Sequence, residues 1–307
     1  MLGLVDGKIA VPQQTLYLML GKQCIANCKF CAQAISSKAD KKFLSRVTWP
    51  EFELEKLLEK LQINKAVKRL CIQTLRYPAL LQDLIYLIKE LRYRSNILIS
   101  ACVNPLNRQE LLKLREAGVS NVGIGLDCAT EELFYKLKPG AGGWEEYIIG
   151  IKDAIDIFGA TTVHLIVGVG ESDFDLINTI WKLNDLGAVV ALFSYTPLEG
   201  IELKLGWPEV KRYRAIQLAR WLITNNIAKP DDFKFEKGKL VRISIEKEVI
   251  ERKISSGKPF QTSGCSYCTR PFYNERVMGP LYNYPKELSK NEIVAAKEEL
   301  KDYGVFS

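Results

Sequence analysis

Between residues 15 and about 225, the chain of 307 residues repeats one pattern six times: a short apolar run, then an amphipathic stretch. The runs are 15–20, 67–74, 97–103, 122–126, 162–167 and 189–195. Helical spacing of apolar residues, as in Phe52, Leu54, Leu57, Leu58 and Leu61, predicts helices over 50–61, 78–92, 107–118, 173–187 and 208–225. A further helix follows the turn with Gly140, Gly142 and Gly143 and ends near Gly159. Consecutive strand–helix units imply a parallel sheet with right-handed crossovers. The strands read as nearly continuous apolar runs, as expected when both faces are covered. Six units rather than eight predict an α/β fold, a partial (β/α)6 TIM-type barrel left open on one side. An open doubly wound sheet is the alternative that periodicity leaves standing. In both, functional residues are expected at the carboxyl ends of the strands.

Beyond residue 226 the pattern changes, so 1–226 is predicted to be the barrel and 227–307 a C-terminal extension packing on it. A charged segment, 231–239, precedes a candidate strand at 240–245, and a loop with Gly257, Pro259 and Gly264 follows. Ser289 and Glu292 make a capping box for a last helix running to about Tyr303. An apolar fraction of 47% with 26% charged residues is ordinary globular composition. No apolar run approaches ~18 residues, which excludes a spanning helix. Residues 1–8 show no basic lead and no cleavage site, so a cytoplasmic location and no membrane are expected. The formal charge of +7 would favour an acidic partner but falls short of a nucleic-acid binder's basic stripe.

Eight cysteines without an export signal make a disulfide framework the poorer reading. Cys24, Cys28 and Cys31 lie within eight residues, Cys265 and Cys268 within four, and Cys71, Cys102 and Cys128 stand alone. Clusters at ligand spacing point to metal. A structural zinc site needs four ligands. Three tightly spaced thiolates leave either zinc with an open position or an iron–sulfur cube with one iron unligated.

The segment Cys24-Ile25-Ala26-Asn27-Cys28-Lys29-Phe30-Cys31, on the first strand–helix loop with an aromatic before its last cysteine, resembles the CxxxCxxC motif of the radical SAM superfamily. The resemblance implies a 4Fe-4S cluster on Cys24, Cys28 and Cys31 whose open iron binds S-adenosyl-L-methionine (SAM). It also implies SAM contacts at other strand ends: Asp127 to the ribose, Gly168 and Glu171 along the adenosine, and Tyr195 beside the adenine. Taken singly, each is as well read as a strand-end turn or a capping acid. Many members carry a Gly-Gly-Glu triplet after strand two; here Ile72-Gln73-Thr74-Leu75 stands there, and Gln73 or Thr74 is expected to substitute.

Within the superfamily the chain is similar to biotin synthase, which holds a second, sulfur-donating cluster with three Cys and one Arg. Cys71 and Cys102 match two of those cysteines and Arg242 matches the arginine, but strand five offers Thr162 and His164 where the third cysteine belongs. The string from Gly264 to Arg276, with its Cys265/Cys268 pair, resembles instead the biotin-synthase-like subunits of the two-protein lipoyl synthase. That resemblance, covering about residues 2–285, implies an auxiliary 4Fe-4S cluster on Cys71, Cys102, Cys265 and Cys268. Cys128 is left as a free thiol or a substitute for one member, and Arg242 and His164 stand as further candidates beside the cluster. A surface redox or zinc CxxC is the rival for Cys265/Cys268, and a packed, hydrogen-bonded side chain the rival for the lone His164.

The implied activity is sulfur insertion into an octanoyl or mercapto-octanoyl chain on a lipoyl carrier protein, either a glycine cleavage H protein or an acyltransferase lipoyl domain. The implied partners are a second related radical SAM subunit and an electron donor such as ferredoxin. Alternatives are a biotin synthase acting on dethiobiotin, a tRNA-modifying radical SAM enzyme, for which no RNA-binding segment is found, and a zinc-stabilised binding protein.

Overall fold

The computed structural model describes residues 14–63, 66–270, 275 and 281–305. In chain order its strands are β1 (Thr15–Leu20), β2 (Phe43–Leu44), β3 (Val47–Thr48), β4 (Arg69–Thr74), β5 (Leu98–Val103), β6 (Asn121–Asp127), β7 (Thr162–Val167), β8 (Val189–Ser194), β9 (Phe233–Glu236) and β10 (Lys239–Ile243). The helices are α1 (Leu54–Ile63), α2 (Leu80–Arg94), α3 (Arg108–Ala117), α4 (Glu131–Leu137), α5 (Trp144–Phe158), α6 (Asp173–Asp185), α7 (Val210–Thr224), α8 (Lys247–Ser255) and α9 (Lys290–Tyr303).

Six strands form one parallel sheet in the order β1-β4-β5-β6-β7-β8, so β1 and β8 are its edges. This is the α/β architecture of a partial barrel. Side chains alternate across each strand. The outward set, including Leu70, Ile72, Ile99, Val122, Ile124 and Leu165, is fully buried in the main apolar core. The inward set is different in kind: Arg69, Cys71 and Gln73 on β4, Ser100 and Cys102 on β5, His164 on β7. The expectation of strands apolar on both faces is therefore corrected in part, because the inward face mixes these polar and sulfur side chains with Met19, Ile166, Ala191 and Phe193.

Chain termination follows local chemistry. Asn107 caps α3 with a full capping box, and Gly118 ends it in the left-handed conformation at φ 109°. The predicted strand at 240–245 is β10, and its partner β9 went unpredicted. They join through Lys237 and Gly238, both at positive φ, as a two-residue hairpin turn requires. The short β2–β3 hairpin, α4 and α8 were also not anticipated. No helix among the described residues is long and apolar enough to cross a membrane.

The gap between the edge strands is bridged by residues 263–270. On the β1 side, Thr15 donates to the Tyr267 carbonyl (2.5 Å) and the Thr269 amide donates to the Tyr17 hydroxyl (2.8 Å). On the β8 side, the Leu192 amide donates to Ser263 Oγ (3.4 Å) and Arg270 donates to the Leu192 carbonyl (2.8 Å). Arg69, buried at the start of β4, donates to the carbonyl (3.0 Å) and hydroxyl (2.8 Å) of Ser266. This strap carries Cys265 and Cys268. Of the string 264–276, residues 271–274 and 276 lie outside the described residues, as do residues 1–13.

Candidate functional site

Two groups of thiols occupy different levels of the barrel. The upper group, Cys24, Cys28 and Cys31, lies on the loop that leaves β1, and all three are half-buried. Backbone hydrogen bonds tie this loop to its surroundings. The Ile25 amide donates to the Arg76 carbonyl, Asn27 to Pro139, and Lys29 to Leu137, each at 2.8 Å. The Leu203 amide donates to the Lys29 carbonyl at 2.8 Å. Amides also point at sulfur: Ala26 at Cys24 Sγ and Gln33 at Cys31 Sγ, both 3.4 Å. Burial pushes the Cys28 thiol up to about 12, against the pull of the Lys138 cation. Burial likewise raises Cys31 to about 11, against the Gln33 amide. Without metal Cys28 and Cys31 keep their protons, and metal binding must displace them.

The lower group surrounds a small recess of about 30 Å³ inside the barrel. Cys71 and Cys102, on adjacent strands, have sulfurs 3.9 Å apart. Cys265 and Cys268 reach the same recess from the strap. Gln73 Nε2 donates to both Cys71 (3.1 Å) and Cys102 (3.2 Å). Arg270 lies 3.5 Å from Cys268 Sγ, and the Tyr17 hydroxyl lies 3.7 Å from it. Within each thiol pair a shared hydrogen bond holds Cys102 and Cys268 below the ordinary thiol range and Cys71 and Cys265 above it. His164 also hydrogen-bonds Cys102. Gly123 makes room for that contact, since a Cβ there would stand 2.9 Å from Cys102 Sγ and 3.3 Å from His164 Nε2.

The structure thus brings together Cys71, Cys102, Cys265, Cys268 and His164. Three sequence expectations are corrected. Arg242 is exposed on β10 opposite Lys234, away from the recess; the arginines at the recess and strap are Arg270 and Arg69. Gln73 turns its amide to the lower thiols instead of standing with the upper group. Glu171 is buried: it accepts from the Gly168 and Val169 amides (both 2.8 Å) and pairs with Arg212 (3.0 Å), so it builds the turn after β7 instead of presenting a free carboxylate. Gly168, at φ 99°, forms that turn. Tyr195 is buried at the end of β8, and its hydroxyl donates to the Leu203 carbonyl (2.5 Å), bracing the segment that holds Lys29. Asp127, at φ 66° on the end of β6, pairs with Lys138 at 2.8 Å. Cys128 is wholly buried in the apolar core and takes no part in the recess.

Lys138, Arg69 and Gly123 were missed as site residues. One signal was available: reading every second residue of each strand, as in Arg69-Cys71-Gln73, isolates the polar interior.

The donor set fits iron–sulfur chemistry. Both groups are soft thiolates, and amide N–H groups aim at sulfur in the upper one. Among the described residues no three His, Cys, Asp or Glu side chains form a set that could hold a single metal ion. A partial barrel with three thiols on its first strand–helix loop defines a class of proteins that hold a cluster at the barrel mouth. The model of the radical SAM superfamily matches residues 18–181, more than half of the chain, and the chain belongs to that superfamily. Membership implies a 4Fe-4S cluster and SAM, and Cys24, Cys28 and Cys31 are the residues that would hold the cluster.

Among curated relatives, the biotin synthase of Streptomyces coelicolor is 26% identical over 191 residues, 60% of this chain and 45% of that protein. The biotin synthase of Hydrogenobaculum is 26% identical over 177 residues, 53% of this chain and 49% of that protein. A protein of Methanocaldococcus jannaschii named "Probable GTP 3',8-cyclase" is 24% identical over 187 residues, 61% of this chain and 60% of that protein. The chain spans about half the length of the biotin synthases it matches. Among solved structures, methylornithine synthase matches with a TM-score of 0.58 at 13% identity, covering 95% of this chain and 82% of that one. The FeFe-hydrogenase maturase of Carboxydothermus hydrogenoformans gives 0.52 at 14% identity, covering 96% and 67%. These two likenesses concern the fold.

Proposed function

We propose that this radical SAM enzyme inserts sulfur into the octanoyl or mercapto-octanoyl chain of a lipoyl carrier protein, as one subunit of a two-protein lipoyl synthase. The observation that carries the proposal is the convergence of Cys71, Cys102, Cys265 and Cys268, 197 residues apart at the extremes, on one recess beneath the upper thiols. Four thiolates suit a closed auxiliary 4Fe-4S cluster. When bound, the upper cluster with SAM would supply a radical able to take hydrogen from an unactivated carbon, and the lower one the sulfur.

The chain's own residues would bind, orient and shield. Met19 and Ile166 share the inward face with Tyr17 and His164, one layer above them, and Phe193 lines the recess. These apolar side chains, beside Gln73 in register with Met19, suit an alkyl chain. Gln73 and His164 would fix the lower sulfurs by hydrogen bonds. The excess positive charge suits an acidic carrier domain. A second related subunit and a ferredoxin-type donor complete the proposed system.

The similarity to biotin synthases favours one other reading, sulfur insertion into dethiobiotin. His164 in place of a cysteine and the strap cysteines weigh against it. Iron and sulfide quantification with Mössbauer spectra decides the cluster count. The wild type should hold about eight irons, and a variant with Cys24, Cys28 and Cys31 changed to Ala about four. Octanoyl-lysine carrier and dethiobiotin, assayed side by side, then separate the two readings. A protein that holds only one cluster would end the sulfur-donation reading.

A further inference from the structure

We propose that Lys138 is a positioning residue for the cluster at the barrel mouth: its buried ammonium, paired with Asp127 and set opposite Cys28, raises the reduction potential of that cluster. The inference rests on superfamily membership and the geometry of the loop, and is independent of the sulfur-insertion reading.

Two backbone hydrogen bonds bracket the contact. The Asn27 amide donates to the Pro139 carbonyl and the Lys29 amide to the Leu137 carbonyl, both at 2.8 Å, so Cys28 and Lys138 are the central residues of two facing segments. Lys138 is only 4% exposed. A buried ammonium needs partners, and this one has Asp127 Oδ2 at 2.8 Å and the Gly125 carbonyl at 2.5 Å, with the Tyr147 ring 4.4 Å away. Asp127 is held at φ 66°, a backbone conformation non-glycine residues rarely adopt, beside an irregularity in the β6–β7 register. The ion pair therefore joins the thiol loop to a strained strand end. Of the charges acting on Cys28, that of Lys138 is the largest, and the opposing charge of Asp127 is weaker.

One-electron reduction adds a negative charge to a cluster. A fixed cation in a site screened from water favours that charge, and a fixed anion opposes it. Lys138 cannot relax away, because its partners and the rings around it occupy the space. The pair is thus a dipole whose positive end prevails at Cys28, while at Cys31 it is the charge of Asp127 that is felt.

The test is an EPR-monitored redox titration, with iron content measured in parallel, following the signal that changes when SAM is added. In Lys138→Met the reduced-to-oxidised ratio at a set potential should fall by at least about tenfold, a shift of ~59 mV to more negative potential for one electron. Asp127→Asn should shift the other way, and the double variant should lie between. Lys138→Arg, which keeps the charge, should stay near the wild type. A Lys138→Met protein that holds the mouth cluster and titrates at the wild-type potential would overturn the proposal. Should that variant fail to hold the cluster, Asp127→Asn decides: a positive shift supports the proposal and an unchanged potential overturns it. A purely structural Lys138 would alter iron content without moving the potential of the loaded fraction.

Discussion

At Gly123 the absence of a side chain is what lets a thiol and an imidazole meet. Cys102 and His164 approach across the space a Cβ would fill, at 2.9 Å and 3.3 Å. Gly123→Ala forces one of them away, an overpacking cost of about 1–3 kcal/mol. The expected result is a lower denaturation midpoint and a loss of iron from the recess, with the SAM-responsive cluster retained. Unchanged iron and stability would show that the recess has slack. At this scale the sequence was legible where the residue type itself names the chemistry. Cysteines at short spacing can be read directly, because soft ligands are few and their spacing is informative. Lys138 could not be read, since a lysine before Pro139 and Gly140 looks like a solvated turn charge until Asp127 and two aromatic rings close over it. Arg242 misled for a different reason: it was carried over from the resemblance of its segment to biotin synthase, yet β10 belongs to a two-stranded sheet on which Arg242 is exposed.

Asp173 opens α6 and ties four elements together. It accepts from Arg212 Nε on α7 (2.7 Å) and from the Leu240 amide on β10 (2.9 Å), and also from the Tyr303 hydroxyl on α9. Asn107, by contrast, caps α3 in an exposed position and serves one helix. Replacing Asp173 by Ala leaves the Leu240 amide and the Tyr303 hydroxyl without their buried acceptor, while Arg212 keeps Glu171, and should cost about 1–3 kcal/mol for each donor left unsatisfied. Asn107→Ala should cost only ~1 kcal/mol. Chemical denaturation of both variants checks the ranking, and equal losses would contradict it. The six barrel strands and their main helices were legible because each carries a long periodic signal. The hairpin β2–β3, strand β9, α4 and α8 were not, because elements of two to nine residues carry little periodicity. Their stability comes from docking, as with the Leu240 amide on Asp173.

For the whole molecule, the six-stranded sheet leaves a gap between β1 and β8, and closing that gap joins parts of the chain about 250 residues apart. No local pattern could have revealed this, since each strap contact pairs an ordinary-looking residue with a distant one. The strap adds no ladder strand. Side chains make most of its bonds, and Tyr267, at φ 65°, and Gly264, at φ 137°, hold it in left-handed conformations. Each hydrogen bond contributes about 1 kcal/mol net, so a metal cluster gripping Cys71 and Cys102 on one side and Cys265 and Cys268 on the other would be the strongest single tie across the gap. Anaerobic iron chelation should therefore raise amide hydrogen exchange in residues 263–270 well before it affects β5, β6 and β7. Arg69→Met, which removes two bonds to Ser266, should produce part of the same effect in the loaded protein. If exchange in the strap is the same with and without iron, the polar contacts alone close the barrel and the lower thiols do not act as a staple.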